Sequence, residues 1–158
     1  MRGQGDLSRA TTLLEESLAL FSRLENTWGV GIALVSLGSA ACEAGDDARA
    51  SRLYEESLNL YQRAGLNFGV PACLEGLARV AAAQGRPERA ARLCGAAAAL
   101  REELGAFHSP LAARRAEHDR TVAAARAALG EEAFESAWAK GYALPLDEAI
   151  KDTLGNGV

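Results

Sequence analysis

The stretch that decides the fold runs from Leu34 to Ser57 and reads LVSLGSAACEAGDDARASRLYEES. Leucine and alanine recur at helical spacing on both sides of Gly45, and glycine is the residue preferred in the left-handed position that ends a helix. Asp46 or Asp47 follows, where an aspartate caps the free N–H groups of a new helix. The stretch predicts two helices joined by a tight turn, the first over about residues 30–44 and the second ending near residue 64.

The same pattern recurs at an offset of 40 residues. The turn glycine and the alanine five residues later return in three copies, at Gly5, Gly45 and Gly85 and at Ala10, Ala50 and Ala90. Trp28-Gly29-Val30 is likewise matched by Phe68-Gly69-Val70. Self-similarity at such a period is typical of stacked helix pairs, and no segment shows the alternation of a strand. The sequence predicts an all-α fold, an antiparallel helix-pair solenoid.

The register positions resemble a known repeat signature, carried by Leu34, Leu37, Gly38, Ala41, Gly45, Ala50, Tyr54 and Ser57. The pattern is similar to that of the tetratricopeptide repeat, with Leu34 in place of the usual Trp and Ala41 in place of the usual Tyr. The period exceeds the roughly 34 residues of the common form. We expect the extra residues in a loop around Glu25–Trp28, as in a long-loop subclass, and the resemblance implies a tetratricopeptide-like superhelix.

Gly38 stands in the middle of a predicted helix, where glycine costs about 0.5–1 kcal/mol relative to alanine. Its equivalent in the next repeat, Ala78, is also small. A small residue is tolerated there if a neighbouring helix approaches closely. The sequence predicts such an approach at Gly38.

The phase of the repeat makes the segment Gly5–Leu24 the second helix of a pair whose first helix is missing. We expect the chain to be a piece of a longer array; an N-terminal capping helix is the alternative. The missing partner would leave Leu13, Leu20 and Leu24 exposed, and an exposed apolar face often pairs with a copy of itself. A homodimer through the Leu7–Leu24 helix is therefore one predicted partnership.

After Gly105 the register is lost, which divides the chain into repeats over 1–105 and a helical C-terminal cap over 106–158. Ser109-Pro110 is a favourable helix start, and Gly130 predicts a break before two shorter helices. The predicted helices cover about 109–129, 131–140 and 146–154. Their expected anchors in the core are Phe134, Trp138 and Ile150.

Repeats and tail together are similar to the C-terminal region of large bacterial signalling ATPases, many of them LuxR-type transcriptional regulators. The segments that carry this resemblance are 14–21, 91–105, 129–134 and 146–150. Related ATPases and cyclases without a DNA-binding domain have similar tails. The resemblance implies a protein-protein interaction module in the regulatory arm of such a protein; a homo-oligomerisation scaffold is the alternative.

The resemblance also implies a groove lined by the first helix of each pair, which would bind a protein or peptide partner. The positions expected to face this groove are Val35, Ser39, Cys42, Glu43, Glu75, Arg79, Ala82 and Ala83. They lack the Lys, Asn and Arg of the carboxylate-clamp version of the family. An ordinary solvated face, or packing inside a longer array, remains an alternative use of these positions.

Composition excludes other function classes. The net charge is −4 with a pI near 5.3, which argues against direct nucleic-acid binding by this segment. No apolar run approaches the roughly 20 residues that cross a membrane. Three cysteines at irregular spacing form no disulfide framework, which favours a cytoplasmic location.

Catalysis and metal binding are not expected either. The residues Cys42, Cys73, Cys94, His108 and His118 include no pair at metal-ligand spacing. Cys73 and Cys94 are predicted core residues, whereas Cys42 is expected to be more exposed. The repeated Glu-Glu pairs at 15–16 and 55–56 are helix neighbours that point to different sides. We therefore predict no enzyme activity, no metal and no cofactor.

Overall fold

The computed structural model describes residues 2–105 and 112–155, and these residues form eight α-helices and one short 3-10 turn. The helices are α1 (Arg2–Arg23), α2 (Thr27–Glu43), α3 (Asp47–Ala64), α4 (Val70–Ala83), α5 (Pro87–Leu104), α6 (Ala112–Leu129), α7 (Glu131–Tyr142) and α8 (Leu146–Gly155). The 3-10 turn, Asn67–Gly69, leads into α4. The all-α prediction is confirmed, and no strand occurs in these two ranges. The predicted helix start at Ser109-Pro110 lies outside them.

Two of the three predicted turn glycines, Gly45 and Gly85, follow helix ends as expected, whereas Gly5 lies inside α1. Gly45 has φ +78°, in the left-handed region, and its repeat equivalent Gly85 has φ +72°. Asp46 then begins α3, with its side chain accepting a hydrogen bond from the backbone N–H of Arg49 at 3.1 Å. Gly130, at φ +83°, separates α6 from α7. The helix boundaries thus follow local capping chemistry.

Replacing Asp46 by alanine is expected to lower the free energy of unfolding by about 1 kcal/mol, because the N–H of Arg49 loses its acceptor. Asp46→Asn is the matched control, since asparagine caps a helix about as well as aspartate. Urea denaturation of both variants measures the difference. Equal losses in both would show that the carboxylate charge, and not the cap, is what matters.

The prediction of a long loop around Glu25–Trp28 is wrong. α1 ends at Arg23 and α2 begins at Thr27, so the connection is a tight turn. Glu25 has φ +54°, and the Asn26 side chain accepts a hydrogen bond from the N–H of Gly29 at 3.0 Å, which starts α2 early. The long period is taken up by long helices: α2 has 17 residues and α3 has 18.

The described helices group into two compact units, Met1–Gly76 and Leu77–Val158, with the division inside α4. This differs from the division at residue 105 drawn from the repeat register, which stays a prediction. The difference arises because contacts, and not sequence periodicity, define a compact unit. Each unit has its own arrangement of helices.

In the first unit, α2 packs against both α1 and α3. Two buried tyrosines of α3 lie against glycines: a β-carbon added at Gly38 or Gly76 would overlap the ring of Tyr54, and one added at Gly31 or Gly69 would overlap the ring of Tyr61. The close approach predicted at Gly38 is confirmed, and the group that approaches is an aromatic ring.

A buried polar contact also joins α2 and α3. The hydroxyl of Ser57, fully buried, donates to the backbone carbonyl of Gly31 at 3.0 Å. Burying a hydroxyl is costly unless it is hydrogen-bonded, and this bond meets that requirement. Arg49 of α3 also pairs with Glu15 of α1 at 3.0 Å, but both side chains are exposed and the pair contributes little.

In the second unit, α5 is the central helix and packs against α6, α7 and α8. α5 and α7 cross at two glycines. A β-carbon at Gly95 would overlap the carbonyl oxygen of Trp138, and one at Gly141 would overlap the carbonyl oxygen of Arg92. The two backbones therefore touch directly, as only residues without side chains permit.

The predicted anchors of the tail are placed in this unit. Phe134 of α7 and Ile150 of α8 are buried as predicted, whereas Trp138 is half-buried and packs on Phe134 with ring centroids 5.7 Å apart. Arg89 of α5 donates to the carbonyl of Thr153 at 3.0 Å, which holds α8 in place. The tail therefore packs on α5 through both apolar and polar contacts.

At the surface of the same unit, the hydroxyl of Tyr142 donates a hydrogen bond to the carboxylate of Glu102. This bond, with smaller effects of desolvation and of the negative charge, raises the pKa of Tyr142 above its usual value of 10.0. The cause is that ionisation of the phenol would remove the donor and place two negative charges together. Tyr142 stays neutral at physiological pH.

Candidate protein-binding face

Four of the expected groove residues lie on α2 within the first unit. Val35 is buried, Ser39 and Cys42 are half-buried, and Glu43 is exposed at the end of the helix. Cys42 is more accessible than the fully buried Cys73 and Cys94, as predicted. The accessible part of this face is therefore formed by small polar groups and one carboxylate.

The other four lie on α4. Glu75 is half-buried in the first unit, and Arg79, Ala82 and Ala83 belong to the second, where Ala83 is exposed. Arg79 forms an ion pair with Glu117 of α6, with Nη1 and Oε2 3.1 Å apart. Its positive charge is thus already compensated within the fold. The predicted groove role of these eight residues stays a prediction.

Sequence reasoning missed an aromatic cluster in the first unit. Trp28 packs on Phe68 with ring centroids 4.6 Å apart, and on the buried Tyr61 at 5.4 Å. Trp28 remains 39% exposed and Phe68 51%. We call the exposed pair Trp28 and Phe68 the aromatic platform; Tyr61 supports it from below.

The aromatic platform continues the face of α2. Trp28, Ile32, Val35 and Ser39 are spaced four, three and four residues apart, and such residues share one side of a helix. Ile32 is also 39% exposed. The sequence contains a signal for this pair, since Trp28 and Phe68 recur at the 40-residue offset, but recurrence alone indicates the repeat register and not exposure.

Residues 1–63 match a family model described as tetratricopeptide repeat, and residues 72–109 match a second model of the same description. These two stretches are tetratricopeptide repeats. The first match covers α1, α2 and all but the last residue of α3, and the second covers most of α4 and all of α5. Neither a curated protein nor a solved structure matches the chain significantly.

The tetratricopeptide repeat is a scaffold that generally mediates protein–protein interaction and is not a catalytic fold. Within the described ranges, no three His, Cys, Asp or Glu residues are grouped as a metal site requires. Among the residues that the structure describes, no helix combines the length and the hydropathy that spanning a membrane requires.

A second surface is also exposed in the first repeat. Leu13, Leu20 and Leu24 of α1 are 56%, 53% and 73% exposed, as expected from the repeat phase. Spaced seven and four residues apart, they form one stripe, which we call the leucine stripe. The repeats therefore present two different apolar surfaces, the aromatic platform and the leucine stripe.

Proposed function

We propose that this chain is a protein-interaction module that binds a peptide or protein partner on the face of α2 and on the face of α4. The observation that carries the proposal is the accessible face of α2, which combines the aromatic platform, small polar side chains and Glu43 within a tetratricopeptide repeat. Binding on such a face requires only surface complementarity, with rigid helices keeping the entropy cost low.

The proposed context is the regulatory arm of a bacterial transcriptional regulator or signalling ATPase, in the cytoplasm. The resemblance of segments 91–105 and 129–134 to the tails of such proteins supports this context. Sequencing the reading frame on both sides tests it. A Gly-rich phosphate-binding loop upstream and a basic helix-turn-helix downstream would support a LuxR-type regulator; an unrelated flanking sequence would refute it.

A binding experiment tests the face. Random peptides of about 12 residues, which reach about 40 Å when extended, are displayed and selected on the immobilised chain. Glu43→Arg is expected to weaken the selected peptides about tenfold, because it reverses an exposed charge on the proposed face. Ala83→Arg tests the α4 face by adding a positive charge at an exposed position.

The matched control is Glu56→Arg, the same charge change at an exposed position of α3. Arg79 is unsuitable, because replacing it also breaks the ion pair with Glu117. If Glu43→Arg, Ala83→Arg and Glu56→Arg bind the peptides equally, the assigned face is wrong.

The alternative is a homo-oligomerisation scaffold, which the leucine stripe favours. An exposed stripe on one helix pairs readily with a copy of itself about a twofold axis. Light-scattering mass measured over a concentration series discriminates the two functions. The scaffold is supported if the mass of the parent chain rises from monomer to dimer with concentration while Leu20→Asp keeps the monomer mass. A parent chain that keeps the monomer mass at every concentration refutes it.

A further inference from the structure

Charge is distributed unevenly in the first unit. Residues 1–76 contain six arginines and ten acidic residues, and all six arginines lie on α1 and α3. No Lys or Arg occurs between residues 24 and 48 or between 64 and 76. Within the first unit, the charged side chains of α2 and α4 are therefore both acidic, Glu43 and Glu75. The basic residue of α4, Arg79, belongs to the second unit and is paired with Glu117.

The apolar part of that face is built to receive a side chain. The ring of Trp28 packs on the buried ring of Tyr61, which in turn packs against Gly31 and Gly69. One side of Trp28 is therefore supported by the core, and Trp28 remains 39% exposed to solvent. Phe68 lies beside it at 4.6 Å between ring centroids. Rigid aromatic residues exposed in this manner are typical anchors of protein interfaces.

From these two observations, and resting on the proposed function, we infer that the partner is a cationic peptide segment with a large apolar residue. The apolar side chain packs on the aromatic platform, and flanking Lys or Arg side chains approach Glu43 and Glu75. A cation near the ring of Trp28 is attracted to its face as well. An acidic segment is disfavoured, because no basic side chain lies on these two helices within the first unit to receive it.

The composition of the peptides selected from the random library is the first test. We expect enrichment of Lys and Arg together with Leu, Phe or Trp, and depletion of Asp and Glu. Affinity is expected to fall severalfold when salt is raised, because the charge contribution is screened. Selected peptides that are acidic, or that lack a large apolar residue, would overturn the inference.

Variants provide the second test. Trp28→Ala and Phe68→Ala are each expected to weaken a selected peptide by about tenfold or more, as loss of an interface anchor does. Leu13→Ala and Leu20→Ala are matched controls, because they remove apolar side chains of comparable exposure from the leucine stripe. These controls are expected to bind within about twofold of the parent chain.

Fluorescence gives a readout that does not depend on comparing affinities. The chain has two tryptophans, so Trp138→Phe leaves Trp28 as the sole tryptophan emitter. Binding at the aromatic platform is expected to shift its emission to shorter wavelength as water is excluded. Circular dichroism melting of each variant checks that weakened binding is not unfolding.

The outcomes separate this inference from the function it rests on. Suppose that Glu43→Arg weakens peptide binding, that Trp28→Ala does not, and that binding leaves the Trp28 emission unchanged. This result would refute binding at the aromatic platform but would leave the proposed interaction module intact. If no substitution on the α2 or α4 face changes peptide affinity, both this inference and the proposed function are refuted.

Discussion

Replacing Gly141 by alanine is expected to lower the free energy of unfolding by about 3 kcal/mol or more, at or above the upper end of typical overpacking costs. The new β-carbon would occupy the space of the carbonyl oxygen of Arg92, which is part of the α5 backbone. A side chain can rotate away from such an overlap, but a helix backbone can move only with its whole helix. α7 must therefore separate from α5, and the contacts around Phe134 are lost with it. Gly95→Ala is expected to act in the same way through the carbonyl of Trp138.

Urea denaturation in a Trp28→Phe background measures this effect, because Trp138 on α7 is then the sole tryptophan. Gly5→Ala is the control: a β-carbon there meets no atom within 4 Å, and alanine is the better helix former by about 0.5–1 kcal/mol. A Gly141→Ala protein as stable as the Gly5→Ala protein would contradict the backbone contact.

Replacing Tyr61 by alanine is expected to cost about 3–5 kcal/mol, the range found when a large buried aromatic residue is truncated. Tyr61 is 2% exposed and its ring fills the space left by Gly31 and Gly69, so its removal leaves a cavity that two glycines cannot fill. Trp28 also loses the ring on which it packs. The variant is therefore expected to lose peptide binding at the aromatic platform even under conditions in which it stays folded.

Tyr61→Phe keeps the ring and is expected to lose about 1 kcal/mol or less, the usual contribution of one hydroxyl hydrogen bond. Tyr142→Ala controls for removal of a tyrosine that is 41% exposed. Urea denaturation in a Trp138→Phe background follows Trp28 in the first unit. If Tyr61→Ala and Tyr142→Ala destabilise the chain equally, the ring of Tyr61 is not the support described above.

The aromatic platform adds chemical detail to the protein-binding function, which the repeat implies only in general terms. A tetratricopeptide repeat indicates a protein partner without specifying its chemistry. Trp28 lies on α2 and Phe68 in the 3-10 turn before α4, and the charged residues of α2 and α4 within the first unit are both acidic. This exposed pair therefore restricts that chemistry to apolar and basic side chains. Charge changes at exposed positions of α3, such as Glu56→Arg, should leave this preference unchanged.

Several elements were predictable because their causes are local. The turn at Gly45 and the cap at Asp46 depend on backbone conformation and on one side-chain hydrogen bond, both of which are determined by neighbouring residues. Leu13 and Leu20 are exposed, as the sequence predicts. The long loop expected near Glu25 is replaced by a tight turn for a local reason as well, because Asn26 caps α2 and the helix begins at Thr27.

The sequence by itself determined the helical class, the 40-residue period and the tetratricopeptide family, since all three depend on which residue types recur at which spacing. Only the tertiary structure decided that Gly95 and Gly141 face backbone carbonyls, that Arg79 is paired with Glu117, and that Trp28 and Phe68 form one platform. These facts join residues between 38 and 49 positions apart in the chain. The physical reason is that helical periodicity assigns each side chain to a face of its own helix, whereas packing decides what that face meets.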